Sequence, residues 1–184
     1  MGTTETVGTV LTQGTWNVDP AHSSVEFRVK HMGLATVKGF FSEFEGLLEV
    51  AEDGTVAASG VVHPASLSTR SAQRDEHLRS PDFFHVEDHP TIDFRSKSIE
   101  QIDGETHRIT GDLSIRGTTN EVVLEAVTQG TDVDPWGNTR IGLEVSGQID
   151  RTEFGLTYNQ ALESGGLLVG KNVKIQLEIS AVKA

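Results

Sequence analysis

The sequence predicts an all-β fold, an extended antiparallel barrel of eight strands with one short helical insertion. Three observations carry this. Nearly every periodic segment alternates apolar and polar residues with period two. Several of these segments run for about ten residues or longer, which builds a deep barrel or sandwich suited to an elongated ligand. Finally, 184 residues with 36% hydrophobic content and no low-complexity tract fit one all-β domain. That domain is expected over residues 15–184, after a flexible N-terminal segment over residues 1–14.

The first short strand, residues 15–19, closes at Asp19-Pro20-Ala21, where Asp bonds its own turn and Pro fixes φ. Over residues 22–34, Val25, Phe27, Val29 and His31 share one face while Glu26, Arg28 and Lys30 share the other. Thirteen such residues span about 40 Å, against about 17–20 Å for an ordinary strand. Residues 37–50 read as one strand with Phe40, Phe44, Gly46, Leu48 and Val50 opposite Glu43, Glu45 and Glu49. Glu52-Asp53-Gly54-Thr55 is its hairpin turn. A weaker strand of small residues and valines over 55–63 stops at His63-Pro64.

Between residues 71 and 79 the period changes. Ser71 can cap a helix that Ala72, Gln73, Arg74, Glu76 and Leu78 tolerate, and Pro81 bars its continuation. Strands resume over residues 91–99, with Ile92 and Phe94 on one face, and over 106–116, with Ile109, Leu113 and Ile115 opposite Arg108, Asp112 and Ser114. Val122, Leu124 and Ala126 mark the next, and Asp134-Pro135-Trp136-Gly137-Asn138 turns into a strand with Ile141, Leu143, Val145, Gly147 and Ile149 in strict alternation. Residues 151–169 lose the period; a helical turn is expected near 158–163, interrupted by Gly165-Gly166. The last strand, 171–182, sets Val173, Ile175, Leu177 and Ile179 against Lys174, Gln176 and Glu178. Eight major strands suffice to close a barrel around one small ligand, although stacked sheets satisfy the same alternation.

The formal charge of −12 and pI near 4.9 argue against sequence-independent binding to nucleic acid or to anionic membranes. With no cysteine, disulfides, thiolate metal sites and a Cys nucleophile are excluded. The first basic residue is Arg28, so residues 1–14 lack the cationic start of a secretory signal, and no apolar run is long enough for a membrane helix. The expectation is a cytoplasmic protein without stable membrane insertion, or an extracytoplasmic one if a leader has been removed.

Catalytic motifs are absent. No two histidines form His-x-His, and Pro90 disfavours the helix that His85 and His89 would need to share a metal. No G-x-S-x-G elbow occurs, and Gly165, Gly166 and Gly170 lack the strand-loop-helix context of a phosphate cradle. Neither a metal, a cofactor nor a catalytic residue is therefore assigned. The candidate ligand-binding residues are the inward faces: Phe27, Val29, His31, Phe40, Phe44, Phe94, Leu113, Ile115, Leu143, Val145, Ile175 and Leu177. In the least generic segment, residues 74–84, Arg74 or Arg79 is the candidate for an anionic headgroup, because guanidinium suits phosphate.

Several segments, taken in order, resemble the YceI-like family of lipocalin-like barrels associated with polyisoprenoid binding. They are Trp16-Asn17-Val18-Asp19-Pro20-Ala21-His22-Ser23-Ser24-Val25-Glu26-Phe27, Gly39-Phe40-Phe41, the run from Arg74 to Phe84, His89-Pro90-Thr91-Ile92-Asp93-Phe94-Arg95-Ser96, Gly111-Asp112-Leu113-Ser114-Ile115-Arg116-Gly117, and Arg151-Thr152-Glu153-Phe154-Gly155. The resemblance implies an extended eight-stranded barrel, a tunnel for a long isoprenoid or isoprenoid quinone tail, and a homodimer. In two respects this chain departs from the family. Thr119-Asn120-Glu121 follow Gly117-Thr118 where the family often has a basic residue and proline, and the secretory leader of some members is not seen.

Three functions stay open at this level. A carrier or store for polyprenyl phosphate or quinone leads. An enzyme acting on an isoprenoid-like substrate would need a polar cluster inside the barrel, for which His31 is the one candidate. An interaction module would show a large exposed apolar patch.

Overall fold

The computed structural model describes residues 11–184. Its strands are β1 (Gly14–Val18), β2 (Ser24–His31), β3 (Ala35–Phe41), β4 (Phe44–Val50), β5 (Val56–Val62), β6 (Leu67–Ser68), β7 (Ile92–Gln101), β8 (Thr106–Ile115), β9 (Thr118–Val133), β10 (Thr139–Asp150) and β11 (Val169–Lys183), with one helix, α1 (Ala72–Arg79). All belong to one antiparallel sheet, ordered β1-β4-β5-β7-β8-β9-β10-β11-β2-β3-β6 and closed by β1 on β11.

The closure has eight positions because two of them are shared and the two-residue β6 only edges β3. β1 and β2 lie end to end along the edge of β11, with Val18 opposite Ala181 and Val25 opposite Leu177. β3 and β4 lie end to end beside them. A closed eight-stranded barrel results, not a stack of two sheets.

The expected 13-residue strand over 22–34 is shorter than predicted. Pro20–His22 form a 3-10 turn capped by Asp19, whose Oδ1 accepts from Ala21 N at 3.0 Å, and β2 covers only Ser24–His31. Likewise the expected strand over 37–50 is two strands. Both Phe41 and Phe44 are buried, a step of three that two-residue alternation cannot make without a corner at Ser42-Glu43. Ser66 holds that corner: its Oγ accepts from Glu43 N at 3.0 Å and its carbonyl from Ser42 N at 3.4 Å.

Beyond the corner β3 and β5 part, and residues 63–91 fill the opening. Leu78 and Phe84 pack there against Val25, Phe41, Phe44 and Leu67. The helix begins as expected, with Ser71 Oγ accepting from Arg74 N at 3.3 Å, and ends at Arg79. The helical turn expected near 158–163 is absent; instead a 3-10 turn forms at Arg151–Phe154, and Ala161 bridges Leu167.

Of the expected flexible segment over residues 1–14, the first ten lie outside the described residues. Leu11 packs on the Trp16 cluster and Trp16 Nε1 donates to Thr12 O at 3.0 Å. This cluster of Trp16, Val50, Ile141 and Ala181 plugs one end of the barrel. Nearby Arg140 donates to Asp19 Oδ2 and Asp134 Oδ2, both at 2.9 Å, tying the Pro20 turn to the β9–β10 turn. Arg140 and then His22 hold the Asp19 carboxyl down at about 2. Burial opposes the same shift at Asp134, but hydrogen bonds from Asn138 and Arg140 outweigh it and hold that group at about 2 as well.

Candidate functional site

Because successive side chains in a strand point to opposite faces, each long strand sends one apolar row into the barrel. These rows do not fill it. They enclose a cavity of about 440 Å³, within the roughly 300–1,000 Å³ typical of small-molecule sites. Along β11 its lining runs through Val169, Val173, Ile175, Leu177 and Ile179, a length of about 30 Å at ~3.3 Å per residue. The floor is the Trp16 cluster, against which Leu48, Leu143 and Ile179 pack. The cavity reaches the surface beside the β2–β3 turn, where the exposed Lys30 and His31 belong to its lining.

Two inward glycines set the width. A Cβ on Gly39 would stand 2.1 Å from Phe27 Cζ, and one on Gly111 2.5 Å from Phe94 Cζ. Each phenylalanine therefore lies across a glycine on the neighbouring strand, flat to the wall instead of across the cavity. Phe27 continues into Phe41 and Phe84, with centroids 5.3 and 6.5 Å away.

Of the residues singled out from the sequence, Phe27, Val29, His31, Phe44, Phe94, Leu113, Ile115, Leu143, Val145, Ile175 and Leu177 are brought to this cavity. Phe40 is not. It is 38% exposed on the outer face, because the Ser42-Glu43 corner makes odd residues point inward in β3 and even residues inward in β4. Arg79 also leaves the set: its Nε and Nη2 donate to Ala65 O and Leu67 O, both at 2.9 Å, binding α1 to the segment that fills the opening. Arg74 remains on the cavity wall. Its Nε and Nη2 are held by Thr69 at 2.7 and 2.6 Å, and its Nη1 has no protein partner among the described residues.

The alternation pattern concealed a polar corner made by Arg151, His77 and Tyr158. Arg151 is 5% exposed, yet lines the cavity. Its guanidinium donates to Gly170 O at 2.8 Å, Leu156 O at 2.6 Å, Tyr158 O at 2.9 Å and Val169 O at 3.2 Å. Burial lowers its pKa, partly offset by the charge of Asp150. His77, Phe83 and Tyr158 form an edge-on aromatic trio with centroids 4.8–5.3 Å apart, and Arg151 Cζ lies 5.9 Å from the Phe83 centroid. His77 Nε2 is 2.8 Å from Asp82 Oδ2. The run from Arg74 to Phe84, which holds His77 and Phe83, and the motif Arg151-Thr152-Glu153-Phe154-Gly155 pointed to parts of this corner, while Tyr158 lies in a segment with no period.

Among the described residues no group of three or more His, Asp or Glu is placed to hold a metal ion, and no helix is long and apolar enough to cross a membrane. The cavity is thus an apolar sleeve with cationic and aromatic groups in a few places.

The model of the YceI-like domain matches residues 16–181, nine-tenths of the chain. The chain belongs to the YceI-like family. Within that family it is 37% identical over 161 residues to UPF0312 proteins of Staphylococcus aureus, covering 86% of this chain and 91% of theirs. Among solved structures it is similar to the YceI protein of Campylobacter jejuni (TM-score 0.71, 27% identity, 84% of this chain and 90% of that one). BcnA of Burkholderia cenocepacia shares the fold (TM-score 0.77, 19% identity, 89% and 98% covered). So does a polyisoprenoid binding domain from Saccharophagus degradans implicated in plant cell wall breakdown (TM-score 0.69, 13% identity, 92% and 98% covered).

Proposed function

We propose that this protein binds a long-chain isoprenoid lipid, a polyprenyl phosphate or an isoprenoid quinone, with its tail in the barrel cavity, and carries, stores or sequesters it without chemical change. The observation that carries this reading is the length of the apolar lining, from Val169 at the open end to Ile179 at the Trp16 floor. Each five-carbon unit buried there contributes up to about 4 kcal/mol at ~0.8 kcal/mol per carbon, before the cost of ordering the chain. Few polar anchors are needed. Arg74, whose Nη1 has no protein partner among the described residues, and the exposed Lys30 and His31 are the groups available to a headgroup. Membership of the YceI-like family and the fold shared with the Saccharophagus degradans domain support the same ligand class.

The homodimer implied by the sequence resemblance belongs to this proposal. The exposed Ile102 and Val123, which line a shallow outer groove together, are consistent with a covered face. Organic extraction of the purified protein followed by mass spectrometry tests the ligand. A stoichiometric isoprenoid lipid is expected; a stoichiometric straight-chain fatty acid in its place would overturn the assignment.

A further inference from the structure

We propose that the open rim of the barrel docks on the surface of an anionic lipid bilayer, so that a lipid can pass between membrane and cavity without crossing water. The purpose of the docking rests on the isoprenoid-binding reading; its evidence does not.

The rim is built where the β2–β3 turn meets the segment leading into β11. Met32 N donates to Leu168 O at 2.8 Å, and Val169 pairs with His31. Three large apolar side chains stand in solvent here: Met32 is 44% exposed, Leu34 79% and Leu167 58%. Turn positions on a barrel rim have no core behind them. Polar residues would therefore serve the fold as well, so an apolar lip beside the entrance to an apolar cavity calls for a partner of its own.

Charge says which partner. On the outer face next to this lip, Lys174 lies opposite Arg28, and Arg28 opposite Lys38, three cations in register across three strands. Like charges directly opposed weaken a sheet. Arg28 is balanced by Glu26 at 3.0 Å. Lys30, Lys38, Lys171 and Lys174 have no carboxylate within 4.0 Å among the described residues, in a chain whose formal net charge is −12. The carboxylates nearest these lysines in sequence and pairing are Glu26, which is held by Arg28, Glu43 and Glu178, five and four residues from Lys38 and Lys174 and directed away from the rim along their strands, Asp150, opposite Asn172, and Glu163, in the loop before β11.

The sealed end shows the contrary arrangement. Trp136 and Val133, 81% and 60% exposed, are flanked by Asp132 and Asp134. Net charge therefore misleads about the rim, because the acidic residues lie elsewhere. Apolar side chains with lysines beside them suit an anionic interface, and three side chains give reversible docking without stable insertion.

The test is co-sedimentation of the full chain with vesicles of phosphatidylcholine, with and without one part in four of phosphatidylglycerol. Binding is expected with phosphatidylglycerol, and should fall steeply from about 50 to about 500 mM NaCl as screening shortens the reach of the lysines. Lys38→Gln with Lys174→Gln should weaken it about 25-fold, at about fivefold per lysine. Leu34→Ser with Leu167→Ser should weaken it about tenfold or more, whereas Trp136→Ser should leave it unchanged. None of these residues lines the cavity, so farnesol binding in solution should be the same in all variants. Vesicle binding without farnesol binding would uphold the docking and remove only the isoprenoid reading. Binding indifferent to phosphatidylglycerol and to both double variants, or lost with Trp136→Ser, overturns the proposal. So does light scattering showing that Leu34 and Leu167 join two copies of the chain.

Discussion

Replacing Arg151 tests how the open end of the cavity is held. The side chain is buried, and its four hydrogen bonds at 2.6–3.2 Å end on the carbonyls of Leu156, Tyr158, Val169 and Gly170. It thus ties both ends of the loop over 156–170 to the end of β10. A hydrogen bond to a charged donor contributes about 1.5–3 kcal/mol, and the guanidinium's own desolvation offsets part of the sum. Arg151→Met, which removes the donors and leaves four carbonyls facing an apolar side chain, should cost about 3–5 kcal/mol. That is a large share of a stability of about 5–15 kcal/mol. Arg151→Lys retains a charge but loses the planar fork, and should cost about half as much, so it remains measurable if the Met variant does not fold. Equilibrium urea unfolding gives both values. Hydrogen exchange should show the lost protection concentrated in residues 156–170, and ligand release should quicken because this loop forms part of the rim. Arg151→Met with an unchanged urea midpoint would refute the reasoning.

Leu143→Arg, which puts an unpaired charge inside the sleeve, should abolish binding of a long polyprenol, while Phe40→Ser should leave it intact because Phe40 lies on the outer face; fluorescence titration of the two distinguishes an inner from an outer site. At low pH, the carboxylates of Asp19 and Asp134, both held at about 2 in the folded state, contribute stability that is complete above their ordinary value of 3.8 and lost as pH falls toward 2. Arg140→Gln should therefore raise the pH of acid unfolding followed by circular dichroism; an unchanged midpoint would dismiss the Arg140 bridge. Treatment with a chelator should leave polyprenol affinity unchanged, and loss of binding that returns on adding zinc or iron would reverse the choice of carrier over enzyme.

The legible part of this fold was whatever strict alternation could encode. The inward rows of β2, β8, β10 and, from Val173 onward, β11 follow period two, so Phe27, Leu113, Leu143 and Ile175 could be brought to one cavity by counting alone. The helix was legible through its punctuation, Ser71 and Pro81. Phe40 was misplaced because a corner of two polar residues, Ser42 and Glu43, reverses the phase, and its anchor on Ser66 is a contact made 23 residues away. Arg79 was misjudged for a related reason. Its partners are backbone carbonyls at Ala65 and Leu67, which carry no side-chain signature. The same applies to Arg151, whose four carbonyl partners come together only when β11 returns beside β10. Local charge was hidden as well, since net charge says nothing of which strands bring Lys174, Arg28 and Lys38 into register.

The central claim is that affinity comes from the length of hydrocarbon buried in the sleeve. Isothermal titration across polyprenols of increasing length, their monophosphates and quinones of matched tail length measures this directly. Affinity should rise with each added unit until the cavity is full and then level off, because each buried unit adds transfer free energy. Removing the phosphate should cost less than removing several units, a rim-exposed ion pair contributing only about 0–1 kcal/mol. Affinity that ignores chain length and disappears with the phosphate would contradict the account.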